Sequence, residues 1–308
     1  IIYDTRLRVT MPRTLDERIV IVDIDEKSLG RVGQWPWRRD KMAALVRELF
    51  ERQQVSVIGF DVLFAEADES SGLATLQELA QGPLRSQPAF HEQLKRLAPS
   101  LDYDALFAQS LRGRPVVLGY YLSGEDRDGI TIGMLPDPAL PLERLRGLPL
   151  GATTWRGYSS NIEALTRAAP AAGFFNSITD EDGVVRSLPL LAEYQGQYYE
   201  SLALAMFRTA IGLPEIHPGF VNPTPVGTHD LLQSIVLRQD GRTLALPVDQ
   251  QLATLIPYRG PGDAKGGSFR YISASDVLDG VLPPGQLKDQ LVLVGSTAPG
   301  LLDLRVTP

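Results

Sequence analysis

The sequence predicts an α/β fold: a mainly parallel, mixed β-sheet flanked by helices in three layers, with an antiparallel hairpin extension. Three observations carry this expectation. Residues 19–25 (Ile-Val-Ile-Val-Asp-Ile-Asp) are short, β-branched and apolar up to their acidic end, as a strand buried on both faces should be. Residues 55–64 repeat the pattern after a helical segment, so strand, helix and strand make a right-handed βαβ unit with parallel strands. Further on, Asp182-Gly183 stands between two apolar runs and is the strongest short hairpin signal in the chain.

Taken in order, a polar, Arg-containing lead-in over residues 3–18 precedes the first strand. Gly33-Gln34-Trp35-Pro36-Trp37 reads as a loop, after which Asp40 caps a helix with Leu45, Val46, Leu49 and Phe50 on one face. Residues 65–100 turn polar, and Pro83, Pro88 and Pro99 interrupt short helices there, which predicts a surface excursion. Asp102 starts a helix carrying Leu106, Phe107 and Leu111, and Gly113 stops it before a strand over 116–122. Residues 123–169 are rich in Pro and Gly with weak periodicity, so no regular core is expected in them.

Residues 173–177 and 184–191 are the expected arms of the Asp182-Gly183 hairpin, and a helix over about 201–211 follows. Short alternating runs at 235–237, 244–246 and 255–258 are split by Asp240-Gly241 and other turn pairs. Ser273-Ala274-Ser275-Asp276 reads as a capping box, and residues 291–295 as the last buried strand. With no internal repeat, residues 1–308 are read as a single domain.

Composition narrows the function. The 30 basic and 37 acidic residues give a net charge of −7, against the basic face a nucleic-acid binder presents. The absence of cysteine removes thiol catalysis, thiolate zinc sites and disulfides together. His91, His217 and His229 fall in no zinc or triad spacing, and Gly295-Ser296-Thr297-Ala298 lacks the second Gly of a nucleophile elbow. The Gly-rich stretch over 259–267 is neither a P-loop nor a dinucleotide fingerprint and reads as a flexible loop. No cofactor is implied. No apolar run reaches the roughly 18 residues needed to span a bilayer, and a chain opening at Ile1 without Met is expected to be part of a longer one.

Ligands of open α/β sheets bind at the carboxyl ends of parallel strands. Asp23 and Asp25 on the first strand, Asp61 on the second, and Ser296 with Thr297 after the last are expected to converge there, or else to cap helices and loops. Asp23-Ile24-Asp25 also resembles the two-carboxylate signature of haloacid-dehalogenase-like phosphotransferases. Lys27, however, stands where that signature has a small hydroxyl or apolar residue. The rival reading is thus a magnesium-dependent phosphoester hydrolase. Trp35-Pro36-Trp37 with Arg38 and Arg39 either grips an anionic or sugar-like ligand or plugs the sheet end. Asp180-Glu181-Asp182-Gly183 is no EF-hand, because Ile178 and Pro189 fall where carboxylates are required. Arg186 is instead expected to pair with one of those acids across the turn.

In order, Tyr3-Asp4-Thr5-Arg6, residues 18–28, Trp35-Pro36-Trp37-Arg38, residues 59–64, Asp182-Gly183-Val184-Val185-Arg186, Tyr258-Arg259-Gly260-Pro261, residues 275–278, 291–298 and 303–308 resemble the second-type CHASE domain. This is the cyclase/histidine-kinase-associated sensory extracellular module. The resemblance covers almost the whole chain and departs chiefly at 65–100. It implies a domain outside the cytoplasmic membrane of a multi-pass receptor, entered from one transmembrane helix and left by further ones. It also implies a cytoplasmic output, most often a class III adenylate or guanylate cyclase and otherwise a kinase. Its recurrent polar positions carry over as Asp25, Trp35, Trp37, Asp61, Asp182, Arg186, Ser296 and Asp303, with Arg38 and Thr297 beside them as candidate ligand contacts. A homodimer and an unidentified small-molecule or ion signal are the implied partners, and a ligand-free module that sets dimer geometry is a further alternative.

Overall fold

Apolar strands form the centre of the molecule, those over residues 57–60 and most of 116–123 buried on both faces and those over 16–23 and 291–295 mainly on one, and a computed structural model describes residues 2–12, 14–124, 129–140, 150–220, 232–260, 267–298 and 307. Helix α1 (Ile2–Thr10) leads into β1 (Asp16–Asp23), where Val20 and Val22 are fully buried. Helices α2 (Glu26–Val32) and α3 (Arg39–Arg47) follow, and a π-helical turn over Glu48–Arg52 extends α3 toward β2 (Val57–Phe60). Helices α4 (Leu73–Gln81) and α5 (Pro88–Leu101) come next, then α6 (Tyr103–Leu111) and β3 (Val116–Ser123). Short pieces β4 (Thr131–Ile132), β5 (Thr154–Trp155), β6 (Gly157–Ser159) and α7 (Glu163–Thr166) lead to β7 (Ala171–Phe174).

The second half starts with β8 (Ser187–Pro189), β9 (Leu191–Tyr194), β10 (Gln197–Glu200) and α8 (Leu202–Ala210). It continues through β11 (Glu215–Phe220), β12 (Leu232–Gln239), β13 (Arg242–Pro247) and β14 (Ala253–Leu255). The chain then returns to the main sheet with β15 (Phe269–Ser273), α9 (Ala274–Leu278) and β16 (Leu291–Gly295).

The main sheet has the order β15-β1-β16-β2-β3, all parallel, with β7 parallel to β3 and β6 antiparallel to the far end of β3. Period-two alternation sorts its side chains between two layers of helices. Val22, Ile58, Phe60, Leu118, Val292 and Val294 pack with Met42 and Leu45 of α3, Phe107 of α6 and Val277 of α9. Val57, Val117, Leu291 and Leu293 belong to the opposite face, under Leu202, Ala205 and Met206 of α8. Phe60, Phe64 and Phe107 meet edge to face, with centroids 5.1–5.9 Å apart. A second core, containing Leu191, Tyr198, Leu204, Ile216, Ile235 and Leu237, joins α8 to β9–β12.

Several boundaries differ from the sequence reading. β1 ends at Asp23, because Asp25 accepts the Ser28 amide at 2.8 Å and caps α2, a helix concealed by the strand-like run before it. The α3 cap is not Asp40, which lies inside the helix and pairs with Arg38 at 2.6 Å. β1 and β2 are parallel but not neighbours, since β16 lies between them. The excursion at 65–100 is on the surface and helical, as expected, but of its three prolines only Pro83 falls between helices. Pro88 opens α5 where its missing N–H costs nothing, Pro99 sits in its last turn, and the helix has no buried residue. Residues 123–169 supply short strands and buried groups, including Leu140, Leu165 and Asn161.

The hairpin around Asp182-Gly183 is reduced to a tight turn closed by one bridge, Ile178 with Ser187. Its expected first arm, β7, is a parallel strand on β3, and its second, β8, pairs with β14. Among the described residues, Gln195-Gly196 and Asp240-Gly241 are tight turns that join hairpin strands. Within 259–267, residues 261–266 lie outside the described residues, and Arg259 pairs with Asp16 at 3.6 Å.

Gly173 allows β7 to lie against the start of α8, because a Cβ there would stand 2.5 Å from the Leu202 nitrogen. Gly173→Val is expected to destabilise the chain by about 1–3 kcal/mol through overpacking against backbone that cannot yield. Urea unfolding checks this, and a cost within 0.5 kcal/mol of zero would contradict the close approach.

Candidate functional site

The strand-end group begins with Asp23, whose carboxylate accepts from the Thr297 amide at 2.8 Å and from the Thr297 hydroxyl. Ser296 Oγ donates to the Ile24 carbonyl at 2.8 Å and accepts the Ala298 amide at 3.2 Å. These bonds fasten the chain after β16 to the chain after β1. Asp25 turns the other way. It accepts from Ser273 Oγ at 2.8 Å at the end of β15, within a hydroxyl network of Ser28, Ser273 and Ser275.

Ser273 therefore spends its hydroxyl on Asp25 rather than on the amides of α9, and the expected capping box does not form. Burial works against the Asp25 charge, but the bonds from Ser28 and Ser273 outweigh it and hold the carboxyl below its ordinary range. Asp23 and Asp25 thus serve opposite neighbours of β1, because Asp25 has left the strand and the two-residue periodicity no longer applies. They do not form the adjacent, open carboxylate pair that phosphoryl transfer to an Asp requires. Asp61 and Thr297 are exposed at this sheet end.

Trp37 is buried, donates Nε1 to the Gly33 carbonyl at 2.7 Å, and packs in the main core. Trp35 lies half-buried beside it with ring centroids 6.0 Å apart. Arg38 stacks over Tyr103 at 4.6 Å and pairs with Asp40. The neighbouring Arg39 is buried over Phe64, 4.6 Å from the ring centroid, and its amide donates to Asp68 at 2.6 Å. The aromatic pair thus packs on the face of the sheet covered by α3 and α6, with its guanidinium neighbours already partnered.

Arg186 gathers three acids. Nε and Nη2 reach both oxygens of Asp4 on α1 at 2.7 and 2.9 Å, Nη1 reaches Asp180 at 2.7 Å, and both Nη groups reach Asp182. The sequence reading expected a partner from the turn; Asp4, from the opposite end of the chain, was missed. Hydrogen bonds from Arg186 hold the carboxyls of Asp4 and Asp182 down, Asp182 to about 2. Tyr3 donates to the Ile256 carbonyl, so α1 is held at two consecutive residues. Asp303 lies outside the described residues.

The candidates therefore fall into separate hydrogen-bonded groups at the strand ends, around Trp37, and around Arg186. A cleft of about 620 Å³ was not anticipated. It lies between residues 134–139, α7 and α8, and is lined in part by Glu200 and Arg208. Those two residues straddle a strand–helix junction eight positions apart, a spacing that carries no local signal of pairing.

A family model for the CHASE2 domain matches residues 1–308, the whole chain. No curated protein and no solved structure matches it. The chain belongs to the CHASE2 domain family. It is accordingly an extracytoplasmic sensory domain, a receiving rather than a catalytic module. Among the described residues, no helix is long and apolar enough to cross a membrane.

The Arg186 cluster gives a pH signature. Carboxyls whose folded values lie below the ordinary range of about 3.9 add stability above that range and lose it as pH falls through the folded value. Arg186→Gln is expected to lower the melting temperature by an amount that is constant above about pH 5 and narrows between about pH 4 and 2. Calorimetry across that range checks it, and a deficit unchanged down to pH 2 would count against the pairing.

Proposed function

We propose that this CHASE2 domain receives a signal outside the cytoplasmic membrane and regulates a cytoplasmic adenylate cyclase by rearranging a homodimer. The observation that supports coupling is the attachment of α1. Asp4 and Tyr3 bind it to the 180–186 turn and to residue 256, both in the half of the chain that carries α8 and the small sheets. In this reading α1 continues from a transmembrane helix, so a displacement of that half pulls on the membrane segment through a short, charged connection.

The strand-end bonds support a second connection. Thr297 and Ser296, held by Asp23 and Ile24, lie where the chain leaves the sheet. Class III cyclase sites are built from two chains, so this output calls for a dimer, and a ligand regulates it only by favouring one dimer arrangement over another. Asp25, Asp61, Trp35, Trp37 and Arg38 are assigned to bracing the sensory body.

The test uses the full-length parent in its membrane. Asp4→Asn and Arg186→Gln are expected to shift basal cyclase output in the same direction, by about fivefold if the latch biases the two arrangements by about 1 kcal/mol. Unchanged output in both variants, at unchanged protein level, would sink the coupling. If Asp23→Asn instead abolished a measurable phosphoester hydrolysis by the isolated chain, the domain would be an enzyme.

A further inference from the structure

We propose that the cleft between residues 134–139, α7 and α8 is a ligand site for a small zwitterion carrying an ammonium and a carboxylate at the spacing of an α-amino acid. The proposal rests on the sensory reading above and names the class of ligand that would act through it.

The cleft is a built cavity with braced walls. Its loop wall is fastened at one end by the Met134 amide to the Asn161 carbonyl at 2.9 Å. Ser160 and Thr166 hydroxyls also reach the Met134 carbonyl, at 2.7 and 3.1 Å. At the other end, Leu140 and Tyr198 exchange backbone bonds of 3.1 and 3.3 Å. Gly133 makes the entry possible, with φ +75° and a backbone oxygen of Ser160 2.3 Å from where a Cβ would stand. Ala169, Ala171 and Ala172 keep the inner wall low, and a volume of about 620 Å³ accommodates a small molecule with a side chain of its own.

The polar groups select the ligand. Glu200 and Arg208 are 7% and 9% exposed and joined through Glu200 Oε1 and Arg208 Nη1. Arg208 Nε donates to the Pro214 carbonyl at 2.9 Å. Glu200 Oε2 is buried without a hydrogen-bond partner, and among the described residues Arg208 Nη2 makes no hydrogen bond.

A buried carboxylate oxygen with no donor is costly, and one internal pairing does not satisfy it. Burial accordingly pushes the Glu200 carboxyl up despite Arg208 beside it. Glu200 lines the cleft, so an ammonium seated there adds a donor beside its under-satisfied carboxylate, and Asp137 at the exposed rim adds a second negative charge. A carboxylate on the same ligand meets Arg208. A simple anion would face Glu200, Glu215 and Asp137, and a simple cation would face Arg208 and Arg167, so a molecule with both charges fits best.

The probes are the individual proteinogenic α-amino acids, with ethylamine and propionate as half-ligands, against the 308-residue chain. At least one amino acid is expected to bind saturably by calorimetry and, at 100 times its dissociation constant, to raise the melting temperature by about 5 °C. Asp137→Lys, at an exposed position, should weaken binding at least tenfold while leaving the unliganded melting temperature unchanged, and Glu200→Gln should weaken it as well. No binding by any amino acid, or equal binding of ethylamine or propionate, overturns the proposal. Binding that leaves the parent's cyclase output unaltered would overturn the signalling reading and not the site. Output that responds to an amino acid in the Asp137→Lys parent as in the unaltered one would overturn the site and not the signalling reading.

Discussion

Everything in the main sheet depends on the last strand taking its place between the first two. β2 is buried on both faces and β1 on one, where Val20 and Val22 enter the core, and both need backbone partners along their inner edges; β16 supplies those partners to both. The pairing extends past the strands, where the Ile24 amide meets the Gly295 carbonyl and the Asp61 amide meets the Val294 carbonyl, each at 2.8 Å. A parallel strand recruited from more than 200 residues away closes a long loop, which costs entropy before any contact repays it. The two apolar faces, packed against α3, α6 and α9 on one side and α8 on the other, supply the favourable term.

That arrangement sets the energetic rank of the polar groups. Exposed pairs such as Glu92 with Arg96 and Glu163 with Arg167 are worth a few tenths of a kcal/mol each and decide nothing about the fold. The hydroxyl networks of Asp23 with Thr297 and of Asp25 with Ser28 and Ser273 are short-range fasteners that fix where the chain enters and leaves the sheet. Glu200 with Arg208 is different in kind. A buried pair with an unmet oxygen returns little stability for its desolvation, and an apolar pair of similar volume would serve the core as well or better. On the wall of a braced cleft, this pair is the basis of the proposed ligand site.

For a sensor, the separation of parts is itself informative. The rigid sheet carries strand-end bonds that close on themselves, the cleft lies at the outer side of β7 and α8, and the α1 latch reaches the half of the chain that includes α8. A ligand that tightens the cleft acts on α8 and β10, which are continuous in sequence through Ser201. In the proposed reading, the cleft connects toward the α1 latch through the second core, where Leu204 of α8 packs with Leu190 and Leu252.

Much of the fold was legible in the sequence because each core strand carries its own signature: the runs at 19–22, 57–60, 116–122 and 291–295 are apolar or β-branched, as strands at the centre of a sheet with helices on both sides require. Asp102 and Ser201 marked helix starts, since a side chain that caps its own helix is a local event. Strand order was not legible, because nothing in residues 291–295 says which neighbours they will have. Asp25 was read into the strand because the apolar run continues up to it and conceals its local cap on Ser28; its second partner, Ser273, lies 248 residues away and left no local trace. Asp182 and Arg186 could be paired by proximity, whereas Asp4 could not. Local periodicity and capping are written in adjacent residues and so were fixed by composition and order alone. Which strand lies between which, which acid reaches Arg186, and where Glu200 meets Arg208 depend on how distant segments pack, and only the folded chain decides them.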